Sequence, residues 1–311
     1  MTKENLLESY KRIQPFIHHT PILTSSLINT LVGTELYFKC ENFQRAGAYK
    51  IRGATNAIMQ LSKSQQQHGV VTHSSGNFAQ ALSLAARNLN IKAYIVMPSN
   101  SPSVKKNAVL EYGGDIIECE STIEARQAAA DLIVANTGAT CIHPSNHPDV
   151  ILGQGTAGLE LLQEHSDLDY IICPVGGGGL IAGTALAATY FSKNCKVIGG
   201  EPEEADDAYR SLLSGKIEAN RTVNTIADGL RTQLGSYNFP IIKEHVEQII
   251  RVSESEIIEA MQLIWERMKI IIEPSSAVAF AAILKNKKTF KTLKVGVILS
   301  GGNVDINNLP F

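Results

Sequence analysis

The chain has 311 residues, 44% hydrophobic and 19% charged, which suits a globular protein of about two domains and excludes a disordered one. Its 28 basic and 30 acidic residues leave a formal charge of −2, so binding to nucleic acid or a membrane surface through bulk charge is not expected. The five cysteines (Cys40, Cys119, Cys141, Cys173, Cys195) form no C-x-x-C pair, which excludes a zinc site of recognisable spacing. Cys40, Cys173 and Cys195 lie in or beside apolar runs and read as reduced, mostly buried thiols of a cytoplasmic protein.

The first residues, MTKENLLESYKRIQPF, form a charged amphipathic stretch without the apolar centre of a secretory signal. No run of 18 apolar residues follows, so no membrane span is expected. Strands are expected at 36–40, 69–75, 93–99, 115–119, 170–175, 196–200 and 294–302, where apolar and β-branched residues run together. Most of these runs are apolar nearly throughout, as strands covered on both faces must be. Helical patterns separate them, among them 78–90 and 123–138, the second with Gly138 as its stop. Strand alternating with helix implies an α/β fold with doubly wound, mostly parallel sheets. Residues 69–146 hold a strand–helix series of their own. They read as a small domain inserted into a larger one made of 1–68 and 147–311.

In such folds ligands bind beyond the carboxyl ends of the strands. Gly176-Gly177-Gly178-Gly179 follows the strand YIICPV and opens the helical LIAGTALAATYF. Glycines let backbone N–H groups turn inward, and the helix N-terminus adds its dipole, so this is an anion site by construction. There is no Gly-Lys-Ser/Thr, so it is not a P-loop. Gly177, Gly179 and Ala182, with Glu201 about 20 residues on, leave a nicotinamide dehydrogenase as the rival reading. Lys50 lies between Gly47 and Gly53 among apolar and aromatic neighbours. A desolvated lysine loses its proton readily and attacks carbonyls, and a phosphate cup beside it suggests pyridoxal phosphate. Two further polar loops end strands: Ser74-Ser75-Gly76-Asn77 and Ser300-Gly301-Gly302-Asn303. The first can hold a carboxylate on its amides and a ring hydroxyl on Asn77, or simply cap the helix that follows.

AYKIRGA, SSGN, GGGGLIAG and SGGN, in this order, resemble the fold-type II pyridoxal-phosphate enzymes, and within them the serine racemase and serine/threonine dehydratase family. TPILTSS, FKCENFQ, GQGT, IADG, WERMK and IEP extend the resemblance over essentially the whole chain. It implies that Lys50 carries the cofactor, that Gly176 to Gly179 and Leu180 hold its phosphate, that Asn77 bonds the ring 3′-oxygen and that Ser300 faces the pyridine nitrogen. It implies a substrate loop of Ser74, Ser75, Gly76 and Asn77, with Lys50 and Ser75 moving protons on opposite faces of the substrate. It implies a divalent cation, Mg²⁺ or else Ca²⁺ or Mn²⁺, on Glu201, the Ala205 carbonyl and Asp207. It implies a homodimer with ATP as an allosteric activator near Ser25, Ser26, Leu27, Arg45, Gln80, Tyr112, Lys269 and Asn303. The expected activity is racemisation of L-serine with serine ammonia-lyase activity giving pyruvate and ammonia. L-Threonine or 3-hydroxyaspartate dehydration, or aspartate racemisation, are the alternatives. The chain ends soon after SGGNVD, so no C-terminal regulatory domain is expected. Three positions depart from the family's pattern: Phe78 stands for a histidine beside the cofactor, Ser145 for an asparagine, and Ala46 for a threonine.

Overall fold

Apolar runs with no polar face need cover on both sides, and here they receive it in two sheets. The computed structural model describes residues 1–311, the side chain of Ile123 excepted. The strands are β1 (Ile22–Leu23), β2 (Glu35–Cys40), β3 (Val70–Thr72), β4 (Ala93–Pro98), β5 (Asp115–Cys119), β6 (Thr140–Cys141), β7 (Tyr170–Pro174), β8 (Lys196–Pro202), β9 (Val246–Val252) and β10 (Lys294–Leu299). One sheet has the order β1-β2-β10-β7-β8-β9 and the other β5-β4-β3-β6. Every pairing is parallel except that of β1 with β2.

Each expected strand exists, with two instructive shortenings. The run at 69–75 leaves the sheet after Thr72 and the run at 294–302 after Leu299. In both, the polar tail turns off the sheet into a loop. Three strands escape the sequence reading. β1 and β6 have two residues each, and β9 is an edge strand whose Glu247, Gln248 and Arg251 interrupt its apolar run. The helix expected at 123–138 spans Ile123–Thr137 and stops at Gly138, which takes the left-handed φ of 74° that glycine allows. All five cysteines are free; Cys40 and Cys173 are buried, but Cys119, Cys141 and Cys195 are only half-buried. Among the described residues, no helix is long and apolar enough to cross a membrane.

Two apolar cores flank the six-stranded sheet. One packs β2 and β10 against the Glu254–Met268 and Pro274–Lys285 helices, and the other packs β7 against the Pro148–Glu164 and Gly179–Phe191 helices. The last two helices meet at Gly155 and Gly183, where a Cβ on Gly155 would stand 2.6 Å from the Gly183 carbonyl oxygen.

A cluster of charges lies inside this packing. Arg52 donates to both carboxylate oxygens of Glu41, at 2.7 and 2.8 Å, and to both of Glu160, at 2.8 and 2.7 Å. Lys39 completes the neutral set with a 2.6 Å pair to Glu160, and Thr20 Oγ1 donates to Glu41 at 2.6 Å. All four charged side chains are fully buried. Removing one partner of such a set strands the others: Glu160→Gln is expected to cost about 3–5 kcal/mol in urea unfolding.

Candidate active site

The site gathers where neighbouring strands of the large sheet end. β10 lies between β2 and β7, so the loops after all three start side by side. After β7 the chain turns through Gly176 to Gly178 and opens the Gly179–Phe191 helix. After β10 it enters Ser300–Asn303. After β2 it runs through two short turns to Lys50, the first residue of the Lys50–Met59 helix. Backbone pairing ties the last two loops together. Tyr49 N donates to Ser300 O at 3.0 Å, Gly302 N donates to Gly47 O at 2.9 Å, and Ala48 bridges Gly301.

Lys50 and the four glycines line one cavity together with Tyr49, Ser145 and Leu230. Gly178 has a left-handed φ of 78° and precedes a 13-residue helix, whose first residues, with amides that lack intrahelical partners, line the cavity. A Cβ on Gly177 would stand 2.3 Å from Ser145 Oγ, so only glycine lets the turn lie this close to its neighbour. Leu180 is the buried second residue of the helix. Lys50 Nζ has a carbonyl, Pro144 O, at 3.5 Å and the Tyr49 ring centroid at 4.9 Å. Burial pushes its pKa down to about 8, with Glu273 acting in the opposite sense. A desolvated, readily deprotonated lysine beside a donor-lined anion seat fits a carbonyl compound that carries a phosphate, which is what pyridoxal phosphate is.

The second sheet contributes the turn after β3. Gly76 caps the Asn77–Asn88 helix, and Asn77, its first residue, turns its carboxamide into a network. Asn77 Nδ2 donates to Glu273 at 2.8 and 3.1 Å, while Asn77 Oδ1 accepts from Asn303 Nδ2 at 3.0 Å. Asn303 also donates to Ala46 O at 2.8 Å. Ala46, with a positive φ of 57°, begins the kink that continues through Gly47. Ser74 and Ser75 sit half-exposed in the turn, and Ser300 is buried at the end of β10.

Glu273, within the IEP motif, receives no role from the sequence. It occupies the N-cap position of the Pro274–Lys285 helix yet caps nothing; its carboxylate serves Asn77 instead. An acid before proline at a helix start reads as an ordinary cap, so only the fold reveals its task. Burial, and then Asp228, raise its pKa to about 7, against the lowering pull of Asn77, Lys105 and Lys50. Phe78 also departs from expectation. Its ring is fully buried in the core shared with Ile51 and Ala54, so it packs rather than facing the cleft. Ser145 is buried against the glycine turn.

Glu201 and Asp207 are buried at the end of β8 and the start of the Asp207–Ser214 helix, with Ala205 in the turn between them. Glu201 accepts from the amides of Ala208 at 2.9 Å and Tyr209 at 2.7 Å. Burial and then Asp207 hold its carboxyl well above the usual range, and burial lifts Asp207 to about 6. Asp207 Oδ1 has no hydrogen-bond partner. Two buried carboxylates with an orphaned oxygen are a donor set that a hard cation would satisfy. Among the described residues no group of three or more His, Cys, Asp and Glu side chains is arranged for a metal, so this set would need the Ala205 carbonyl. Of the residues expected near a nucleotide, Ser25 caps the Ser26–Val32 helix, on which Leu27 is exposed. Arg45 and Lys269 are exposed, Gln80 is buried, Tyr112 is half-buried beside Arg87, and Asn303 belongs to the Asn77 network.

The family of pyridoxal-phosphate dependent enzymes matches residues 13–301. The chain belongs to that family. It is 52% identical to the serine racemase of Dictyostelium discoideum, over 99% of this chain and 97% of that one. It is 47% identical to the β-hydroxyaspartate dehydratase of Paracoccus denitrificans, over 100% and 98%. The crystal structure of the Dictyostelium serine racemase superposes with a TM-score of 0.94, covering 98% of this chain and 99% of that one. The pyridoxal-phosphate enzyme therefore replaces the nicotinamide dehydrogenase.

Because the folded-state pKa of Glu273 lies above the ordinary 4.5, its protonated form favours the fold. That contribution is complete below about pH 4.5 and is lost as pH rises through about 7. The stability of Glu273→Gln relative to the unsubstituted chain is thus expected to increase between these limits, by up to about 3 kcal/mol in pH-dependent denaturant melts.

Proposed function

We propose that the protein is a pyridoxal-phosphate serine racemase that also acts as a serine ammonia-lyase, converting serine to pyruvate and ammonia. The observation that carries this is a desolvated lysine sharing one cavity with the Gly176–Gly179 turn. The 52% identity to a serine racemase supports the substrate.

Bound pyridoxal phosphate would supply the electron sink that makes the substrate Cα–H acidic. Its phosphate would rest on the amides of Gly176 to Leu180, and Asn77 would meet the ring oxygen, its carboxamide oriented by Glu273 and Asn303. Ser300 would face the ring nitrogen. The amides of the Ser74–Asn77 turn, at the head of a helix, would hold the substrate carboxylate. Lys50, with a pKa near the working pH, moves the Cα proton on one face, and Ser75 moves it on the other. Return of a proton from the opposite face inverts the centre. Loss of the β-hydroxyl instead leads to pyruvate and ammonia.

Residues 69–146 would act as a small domain that closes on the large one and excludes water. The Lys105–Asp228 ion pair, between the segment after β4 and the loop before the glycine turn's neighbour Leu230, supports that closure. Glu201, Ala205 and Asp207 would hold Mg²⁺ or another hard divalent cation. The cytoplasm as its location, a homodimer and activation by ATP at the Ser25–Leu27, Arg45, Gln80, Tyr112, Lys269 and Asn303 positions belong to the same reading. A second reading, dehydration of a 3-hydroxyaspartate, is favoured by the small hydroxyl of Ser145 at the cradle and by the 47% identical relative.

With L-serine, pyridoxal phosphate and Mg²⁺, product analysis is expected to find D-serine and pyruvate together. Neither product from serine, with turnover of 3-hydroxyaspartate, would replace the first reading by the second. Ser75→Ala is expected to slow racemisation by about 10²-fold or more with the cofactor still bound, measured by chiral product analysis. Chelation of divalent cations is expected to lower Tm, and Asp207→Asn to abolish that response in a thermal melt.

A further inference from the structure

The turn between β6 and the Pro148–Glu164 helix reads HPSNHP, and its first histidine was given no role above. His143 Nδ1 accepts from two backbone amides, Asn146 N at 2.8 Å and Ser145 N at 3.2 Å. A ring nitrogen can accept only through a free lone pair, so the proton of this imidazole sits on Nε2 and the ring is uncharged. An imidazolium would set an N–H against two N–H groups and release the turn.

What the turn carries makes this consequential. The Pro144 carbonyl faces Lys50 Nζ at 3.5 Å and accepts from Gln154 Nε2 at 3.3 Å. The Ser145 side chain closes against Gly177, and its carbonyl against Gly179. Asn238 Nδ2 spans the turn and the cradle, donating to Gly177 O at 2.7 Å and Ser145 O at 3.4 Å. Asn146 Oδ1 accepts from Tyr237 N at 2.7 Å. The surroundings keep the ring neutral. His73, at the end of β3, meets it edge-on at 5.7 Å, Lys50 faces it from the head of its helix, and His147 faces it from the following helix cap. All three disfavour a further positive charge. Burial first, and then these neighbours, lower the pKa of His143 to about 4.

We propose that His143 is a positioning residue: its uncharged ring, accepting from two amides, holds the 143–147 turn against Lys50 and the glycine cradle and so keeps the phosphate of the cofactor seated. This rests on the pyridoxal-phosphate reading of the cradle. Asparagine is the informative replacement. Its Oδ1 stands where Nδ1 stands, can accept from the amides two and three residues on, and does not titrate. Phenylalanine keeps a ring against His73 but has no acceptor.

The test compares the holoenzyme with His143→Asn and His143→Phe, reading the rate at which cofactor absorbance is lost after dilution into cofactor-free buffer. The expected result is loss at least tenfold faster in His143→Phe and within threefold of the unsubstituted enzyme in His143→Asn. In ¹⁵N-histidine spectra, the Nδ1 signal missing from His143→Asn is expected to stay unprotonated from pH 8 to pH 5. Cofactor retention in His143→Phe equal to that of the unsubstituted enzyme overturns the proposal, as does equal loss in both variants. A protonated Nδ1 at pH 7 also overturns it, and that reading needs no variant that retains cofactor. If the unsubstituted chain takes up no cofactor, the family reading of the cradle fails instead, and that failure strikes all three proteins alike.

Discussion

Arg52 is the residue on which the site's geometry rests. Its guanidinium joins the Lys50–Met59 helix to Glu41, just beyond β2, and to Glu160 on the Pro148–Glu164 helix. The first of these helices begins with Lys50. The second begins where the 143–147 turn ends. One buried cation therefore fixes the lysine and the wall opposite it with a single rigid fork. A hydrophobic core of the same volume would hold the helices together, but it would leave their register to packing alone. Four charges that must all be matched allow far fewer arrangements.

Around that anchor the site keeps groups away from their ordinary protonation. Lys50 is pushed toward neutrality by burial, Glu273 toward protonation, and the ring of His143 stays uncharged between two other histidines and a lysine. These shifts share one cause, desolvation where the loops after β2, β3, β6, β7 and β10 converge. Desolvation alone would be costly, and hydrogen bonds offset it locally. Asn77 serves Glu273, and the turn's amides serve His143. The same bonds orient the side chains that face the cavity, so stability and positioning are not separable here.

Much of this was legible in the chain. The strand runs were long and apolar, and each became a strand. The Gly176–Gly179 turn was readable because a strand, glycines and a helix start in sequence have a fixed geometry. Lys50 was readable because it lies between Gly47 and Gly53 among apolar and aromatic neighbours in a chain that also carries a glycine cup. Glu273 was not, because it looked like a helix cap, and β9 was not, because an edge strand tolerates the polar residues that blur its pattern. By the resemblance, Phe78 stands where the family has a histidine beside the cofactor. The helix that begins at Asn77 rotates it into the core instead, since successive helical residues point about 100° apart.

Local chemistry legible in the sequence alone thus covers the alternation of strand and helix, the glycine turn between a strand and a helix, and the candidate lysine beside it. These depend on neighbours within a few residues, through backbone freedom, periodicity and side-chain character. Tertiary structure decided which loops meet. It set the 47–49 segment against 300–302, brought Asn77 of the second sheet to Glu273 and Asn303 of the first, and placed the 143–147 turn over the cradle. The partners in these contacts lie up to about 250 residues apart in the chain. Nothing local to either one specifies the other; the order of strands in the sheet does.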